Sequence, residues 1–321
     1  MRVLDFPSSE KLRDIAGKYG YDEFILRRWM HFFGEEAMEI VRAFEEGIPK
    51  YIRVNTIKIE EDILIERLRD RGFELEKTDI SYCYEVREEP YSVGATPEFL
   101  MGYYYIMDKA SCIPPIVLDP KPGEVVVDLA SSPGGKTTFL SMLMGNKGVV
   151  LAVEPQKERL QPLIDNIHRM GAMNVAVLKM DGRDVVKLKL RADRVLLDAP
   201  CTGEGVIHKD PSRKTDRGEK DILFCSNLQR ELILAGFDCL KEGGVMVYST
   251  CSLTPEENEM VIDFLLESRD ARLEKVDFGN EALTLPELKL RNPEEIKKAS
   301  RFYPHKHRCS GFFVARIRKS E

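Results

Sequence analysis

From Tyr103 onward one pattern repeats and constrains the fold more than any other feature: short apolar runs alternate with helical segments at the spacing of βα units. Residues 125–129, 149–153, 175–180, 194–197 and 245–249 read as buried parallel strands, because a run apolar on both faces needs cover on both sides. Between them, residues 136–144, 157–170 and 226–240 carry helical spacing. Gly145, Gly171 and Gly243 stand where helix ends favour left-handed backbone. An α/β architecture with a doubly wound, mostly parallel sheet is expected, completed by late strands near residues 273–276 and 312–317. The first hundred residues read differently: helical periodicity over 10–46, a strand at 51–56 (YIRVNT), a helix over 63–71 and an apolar-alternating stretch at 82–86. This divides the chain into a small N-terminal α+β module, residues 1–102, and a catalytic domain, residues 103–321.

Composition narrows the function classes. A chain of 321 residues that is 43% hydrophobic can bury a large core. It shows neither a membrane-spanning apolar stretch nor a signal-peptide apolar region, so a cytoplasmic protein without membrane contact is expected. Seven cysteines are too few for a disulfide scaffold, and no C-x-x-C pair suggests structural zinc. His305, His307 and Cys309 are three close candidates without a fourth, so no metal is expected. The net charge of −6 argues against nonspecific coating of nucleic acid. From Glu287 to the end, however, ten Lys and Arg stand against four acids, which suggests either a local basic face or a solvated helix and edge strand.

Ligands of such sheets bind beyond the carboxyl ends of the strands. After the first strand comes Asp128-Leu-Ala-Ser-Ser-Pro-Gly-Gly-Lys-Thr137, where Gly134 and Gly135 let backbone approach a ligand at a helix start. The G-x-x-x-x-G-K-[ST] spacing of a nucleotide-triphosphate loop is absent, as is the G-x-G-x-x-G of a nicotinamide dehydrogenase. The second strand ends in Glu154, a carboxylate suited to ribose hydroxyls, and the third in Asp181, suited to an adenine amino group. The fourth delivers Asp198-Ala-Pro-Cys201 and the fifth Ser249-Thr-Cys251-Ser252. One buried cysteine is usually inert packing, but two at neighbouring strand ends beside an acid and a nucleoside site point to thiol chemistry. Cys83, Cys112, Cys225, Cys239 and Cys309 have no such setting and are read as packing or surface.

Together these segments resemble the RNA 5-methylcytosine methyltransferases of the Nop2/Sun group, including archaeal tRNA and rRNA enzymes. The likeness rests on Asp198-Ala-Pro-Cys-Thr-Gly-Glu-Gly205, on Tyr248-Ser-Thr-Cys-Ser-Leu-Thr-Pro-Glu-Glu-Asn-Glu259, on Arg301-Phe-Tyr-Pro-His305 with Gly311-Phe-Phe313, and on residues 51–56. It implies a class I methyltransferase, Rossmann-like sheet with an antiparallel last strand, and S-adenosylmethionine as cofactor. The methionine end of that cofactor would lie on Ala130, Ser131, Ser132, Pro133, Gly134, Gly135 and Lys136, its ribose on Glu154 with Arg159, and its adenine near Asp181. Asp198 would border the cofactor and hold the cytosine, with Lys136 reaching the same place. Cys251 would be the nucleophile and Cys201 would assist release of the methylated base. The partner implied is rRNA or tRNA presenting a flipped or single-stranded cytosine, with no DNA partner and a monomer as the default. Where the family usually has Cys-Ala-Ala-Pro-Gly-Gly-Lys, this chain has Ala130, Ser131 and Ser132 before Pro133. Two other readings stay open. Methylation of the exocyclic N4 amine would leave both cysteines idle, and a non-catalytic ribosome-assembly factor would keep the fold without turnover.

Overall fold

The computed structural model describes residues 2–320. In chain order its strands are β1 (Lys50–Val54), β2 (Glu74–Lys77), β3 (Cys83–Glu88), β4 (Tyr104–Ile106), β5 (Val125–Asp128), β6 (Val149–Val153) and β7 (Val175–Leu178). There follow β8 (Ala192–Asp198), β9 (Leu240–Thr250), β10 (Ala271–Glu274), β11 (Asn280–Glu281), β12 (Ser300–Phe302) and β13 (Phe312–Lys319). The chain forms two compact bodies that interleave along the sequence. The larger takes Pro49–Ala199, Leu232–Tyr248 and the residues from Arg316 on; the smaller takes the chain up to Ile48, Pro200–Glu231 and Ser249–Ala315.

In the larger body, β7, β6, β5, β8 and β9 lie side by side in that order, with parallel pairing of β6 to β7, β5 to β6 and β5 to β8. Val126, Val127, Val195, Leu196 and Leu197 are fully buried, as strands covered on both faces require. The helix Lys157–Met170 ends on Gly171 in left-handed backbone, where the sequence placed it. Gly243 also has a positive φ, of 69°, but lies inside β9, because the preceding helix stops at Asp238. That helix starts at Glu219, seven residues before the expected 226, with Glu219 and Asp221 in its first turn facing the positive helix end. The same body holds an antiparallel sheet in the order β2-β3-β1-β4, packed on Leu64 and Leu68 of the helix Glu61–Asp70. β1 stops at Val54 because the Asn55 side chain turns the chain, donating to the carbonyls of Gly102 and Met170 at 2.8 Å each.

In the smaller body, the helical periodicity of residues 10–46 resolves into Glu10–Tyr19, Glu23–Phe33 and Glu36–Glu46, each followed by a glycine of positive φ. Their apolar faces (Leu26, Trp29, Ile40, Phe44) share a core with Ile207, Leu253 and Tyr303. β11, β12 and β13 pair antiparallel, so the last strand runs against its neighbour β12. Among the described residues no helix is long and apolar enough to cross a membrane.

Candidate active site

The loop after β5 is locked from several directions. Ser131 donates from its hydroxyl to the carbonyl of Asp128 at 2.8 Å and from its amide to Val153 at 3.0 Å. The Ser132 hydroxyl donates to Arg159 O at 2.9 Å, and Asn166 donates to Pro133 O at 2.9 Å. The two serines that depart from the family pattern therefore stitch the loop to its neighbours. Gly134 has φ 104°, a backbone conformation that strains any L side chain, and a Cβ on it would also press on Leu163 Cδ1 at 3.1 Å. Asp128, which sequence reading gave no role, is buried and accepts a 2.7 Å hydrogen bond from Thr137, tying the strand to the helix Gly135–Leu143.

Glu154 is 1% exposed; it accepts from the Gln156 amide at 2.9 Å and lies 3.7 Å from the Arg159 guanidinium, which also donates to Ser132 O. Asp181 caps the turn after β7 and pairs with Arg183 at 2.7 Å, which holds its carboxyl below the usual range. Lys136 reaches Asp198, Nζ to Oδ2, at 2.6 Å. The glycine loop, Glu154, Arg159, Lys136 and Asp198 thus stand in one body, and Asp181 is held there by a separate partner.

The thiols belong to the other body. Cys201 Sγ and Cys251 Sγ lie 3.2 Å apart, not joined in a disulfide, with both residues half-buried. The backbone fixes this closeness: Gly205 donates its amide to Cys251 O at 2.9 Å, and Gly311 donates to Gly205 O at 2.9 Å. A Cβ on Gly205 would sit 2.0 Å from Gly311 O and 2.7 Å from Cys251 O, which accounts for the last glycine of Asp198-Ala-Pro-Cys-Thr-Gly-Glu-Gly205. Cys225, read as packing or surface, has Cys251 and Glu257 among the charges around it. Burial pushes its thiol up to about 12, so it stays protonated and unreactive.

What sequence reading missed is the burial of the acids after Cys251. Glu256 pairs with Arg28 at 2.6 Å, both all but unexposed, and Glu259 pairs with Arg301 at 2.6 Å, both fully buried. Glu257 accepts from Thr202 and Ser252. Burial foremost, with Glu204 nearby, pushes Glu257 up to about 7, and burial with Asp198 nearby pushes Asp128 up to about 6. A carboxyl whose folded value is raised contributes its full stability below its ordinary range and loses it as pH climbs through the raised value. Unfolding free energy is therefore expected to fall between about pH 4 and 7 by roughly 2–3 kcal/mol for each of the two groups. Denaturant melts across that window check this; a flat profile would contradict it.

The basic tail is largely spent on internal partners. Lys297 pairs with Glu294, Lys298 with Glu295 and Lys306 with Glu36, while Arg316 and Arg318 donate to the carbonyls of Val117 and Gly243. Arg301 is buried in its pair with Glu259, so it cannot belong to an exposed basic face. His307 accepts from the Tyr303 amide through Nδ1, and among the described residues no group of three or more His, Cys, Asp or Glu is arranged to hold a metal ion.

A mostly parallel sheet with a glycine loop after its first strand and acids at the next strand ends defines a methyltransferase of the Rossmann-like class. Residues 115–318 match the family described as 16S rRNA methyltransferase RsmB/F, and residues 21–84 match its RsmF/B-like, ferredoxin-like domain. The chain belongs to the RsmB/F family of methyltransferases. It is 40% identical over 320 residues to the human 28S rRNA (cytosine(4447)-C(5))-methyltransferase, covering 96% of this chain and 39% of that protein. It is 36% identical to the tRNA (cytosine(49)-C(5))-methyltransferase of Pyrococcus abyssi, covering 84% of this chain and 87% of that one. A crystal structure of a methyltransferase homolog from Pyrococcus horikoshii superposes with a TM-score of 0.89 at 42% identity, covering 97% and 100% of the two chains. The chain spans about half the length, or less, of the eukaryotic rRNA relatives it matches.

Proposed function

We propose that the chain is an S-adenosylmethionine-dependent RNA methyltransferase that forms 5-methylcytosine in rRNA or tRNA through a covalent adduct. The observation that carries this reading is the pair of reduced thiols, Cys201 and Cys251, 3.2 Å apart. Methylation of an exocyclic amine needs no thiol, and the relatives named above act on C5 of cytosine. The donor set of the larger body suits the cofactor. Glycine backbone at the start of a nine-residue helix can receive its amino-acid end, and buried Glu154 with Arg159 beside it can take the ribose diol. Asp181 is assigned to the adenine.

When bound, S-adenosylmethionine supplies an electrophilic methyl group. The chain's own task is to make C5 of cytosine accept it. Cys251 adds as thiolate to C6, which gives C5 enamine character. Once C5 carries the methyl group, its proton must leave and the bond from Cys251 to C6 must break, and Cys201 serves that release. Asp198, oriented by Lys136, holds the base through N3 and the exocyclic amine. Since C5 is hidden in a stack, the target is a single-stranded or flipped cytosine. A cytoplasmic monomer acting without DNA or metal completes the reading.

The test is to incubate the protein with labelled S-adenosylmethionine and RNA from cells lacking it, then identify the methylated nucleoside by mass spectrometry. 5-Methylcytidine is expected. N4-methylcytidine would overturn the covalent mechanism, and no product with any RNA would favour a non-catalytic assembly factor.

A further inference from the structure

We infer that Glu257 is a positioning residue that sets the separation of the two thiols by clamping the residue that follows each of them. The inference rests on the covalent reading above. Thr202 follows Cys201 and Ser252 follows Cys251 in the chain. Both are buried, and both hydroxyls donate to the same carboxylate oxygen, Glu257 Oε1, that of Ser252 at 3.0 Å. The other oxygen, Oε2, accepts the Thr202 amide at 3.0 Å and Nε2 of Gln229 at 2.9 Å. One fully buried carboxylate therefore takes four donors, three of them from the two residues adjacent to the thiols.

In its ionised form the carboxyl suits this task because it offers acceptor sites on both oxygens and presents no donor of its own. Glutamine in its place would keep one acceptor oxygen and turn an amide N–H toward groups that themselves donate. The surroundings support a clamp instead of a proton-transfer role. The hydroxyls of Thr202 and Ser252 are 3.3 Å apart, Gln229 also donates to Pro200 O at 2.8 Å, and Asn258 holds Ser252 O at 2.9 Å. Each bond restrains backbone next to a thiol, so attack and release by two separate loops stay in register.

The test uses the full chain and RNA carrying 5-fluorocytosine at the methylated position, where fluorine replaces the proton that must leave and the adduct accumulates. Glu257→Gln is expected to lower kcat on ordinary RNA by about tenfold to a hundredfold, as small misplacements of reacting groups do. KM for RNA and for S-adenosylmethionine should stay within about twofold, and adduct formation should slow in step with kcat. Should Glu257→Gln fail to fold, Thr202→Val and Ser252→Ala each remove one donor. Their losses in kcat should then be markedly non-additive in the double variant. Unchanged kcat and adduct rate in Glu257→Gln, or strictly additive losses in the pair, overturn the inference. Wild-type protein that forms no adduct while still methylating RNA sinks the covalent reading, and the clamp with it.

Discussion

Cys251→Ala is expected to abolish methyl transfer, a loss on the order of a thousandfold or more, because without the bond to C6 the cytosine C5 is a poor nucleophile. Cys201→Ala is expected to fail differently. Its nucleophile is intact, so attack proceeds, but release is impaired and the protein should accumulate as a covalent RNA complex that survives denaturing electrophoresis. The two sulfur atoms lie only 3.2 Å apart, so the expected contrast rests on their proposed order of action. Gel shift of the denatured protein with labelled RNA reads both variants at once. An adduct trapped by Cys251→Ala and not by Cys201→Ala would exchange the two roles.

Arg301→Ala is expected to destabilise the fold by about 3–5 kcal/mol, since it strands the Glu259 carboxylate in a site where both partners are fully buried. The guanidinium also donates to Leu253 O, two residues past Cys251, and Glu259 further accepts the Leu283 amide. Replacing the pair together, Arg301→Met with Glu259→Leu, should recover much of the loss because no uncompensated charge remains. Urea melts of the single and double variants check this. A single variant as stable as wild type would show that solvent reaches the site.

The features legible in the sequence were those that repeat or cluster locally. The apolar runs gave strands β5 to β9 to within a few residues, except that β9 begins five residues before the expected 245. Cys201 and Cys251 could be brought together because each follows a strand of one sheet. The acids of Pro-Glu-Glu-Asn-Glu259 were not legible, since a run of glutamates reads as a solvated face unless its partners are known. Here the partner of Glu256 is Arg28, 228 positions away, and that of Glu259 is Arg301, 42 away. The basic tail stayed open between two readings for the same reason: charge counting sees Lys297, Lys298 and Arg301 but not the acids that pair with them. Asp128 was in view within its motif, yet only the Thr137 hydrogen bond shows its task.

The interleaving of the two bodies has a consequence for how the protein is made. Trp29 and Phe44 leave the ribosome well over two hundred residues before Tyr303, which packs into the same core. At translation speeds of roughly 5–20 residues per second, these helices wait on the order of ten to fifty seconds with apolar faces uncovered. The larger body, whose antiparallel sheet lies entirely within one early stretch, can begin to fold meanwhile. Nascent chains thus expose these helices to aggregation for longer than chains refolding from denaturant, where every segment is present from the start.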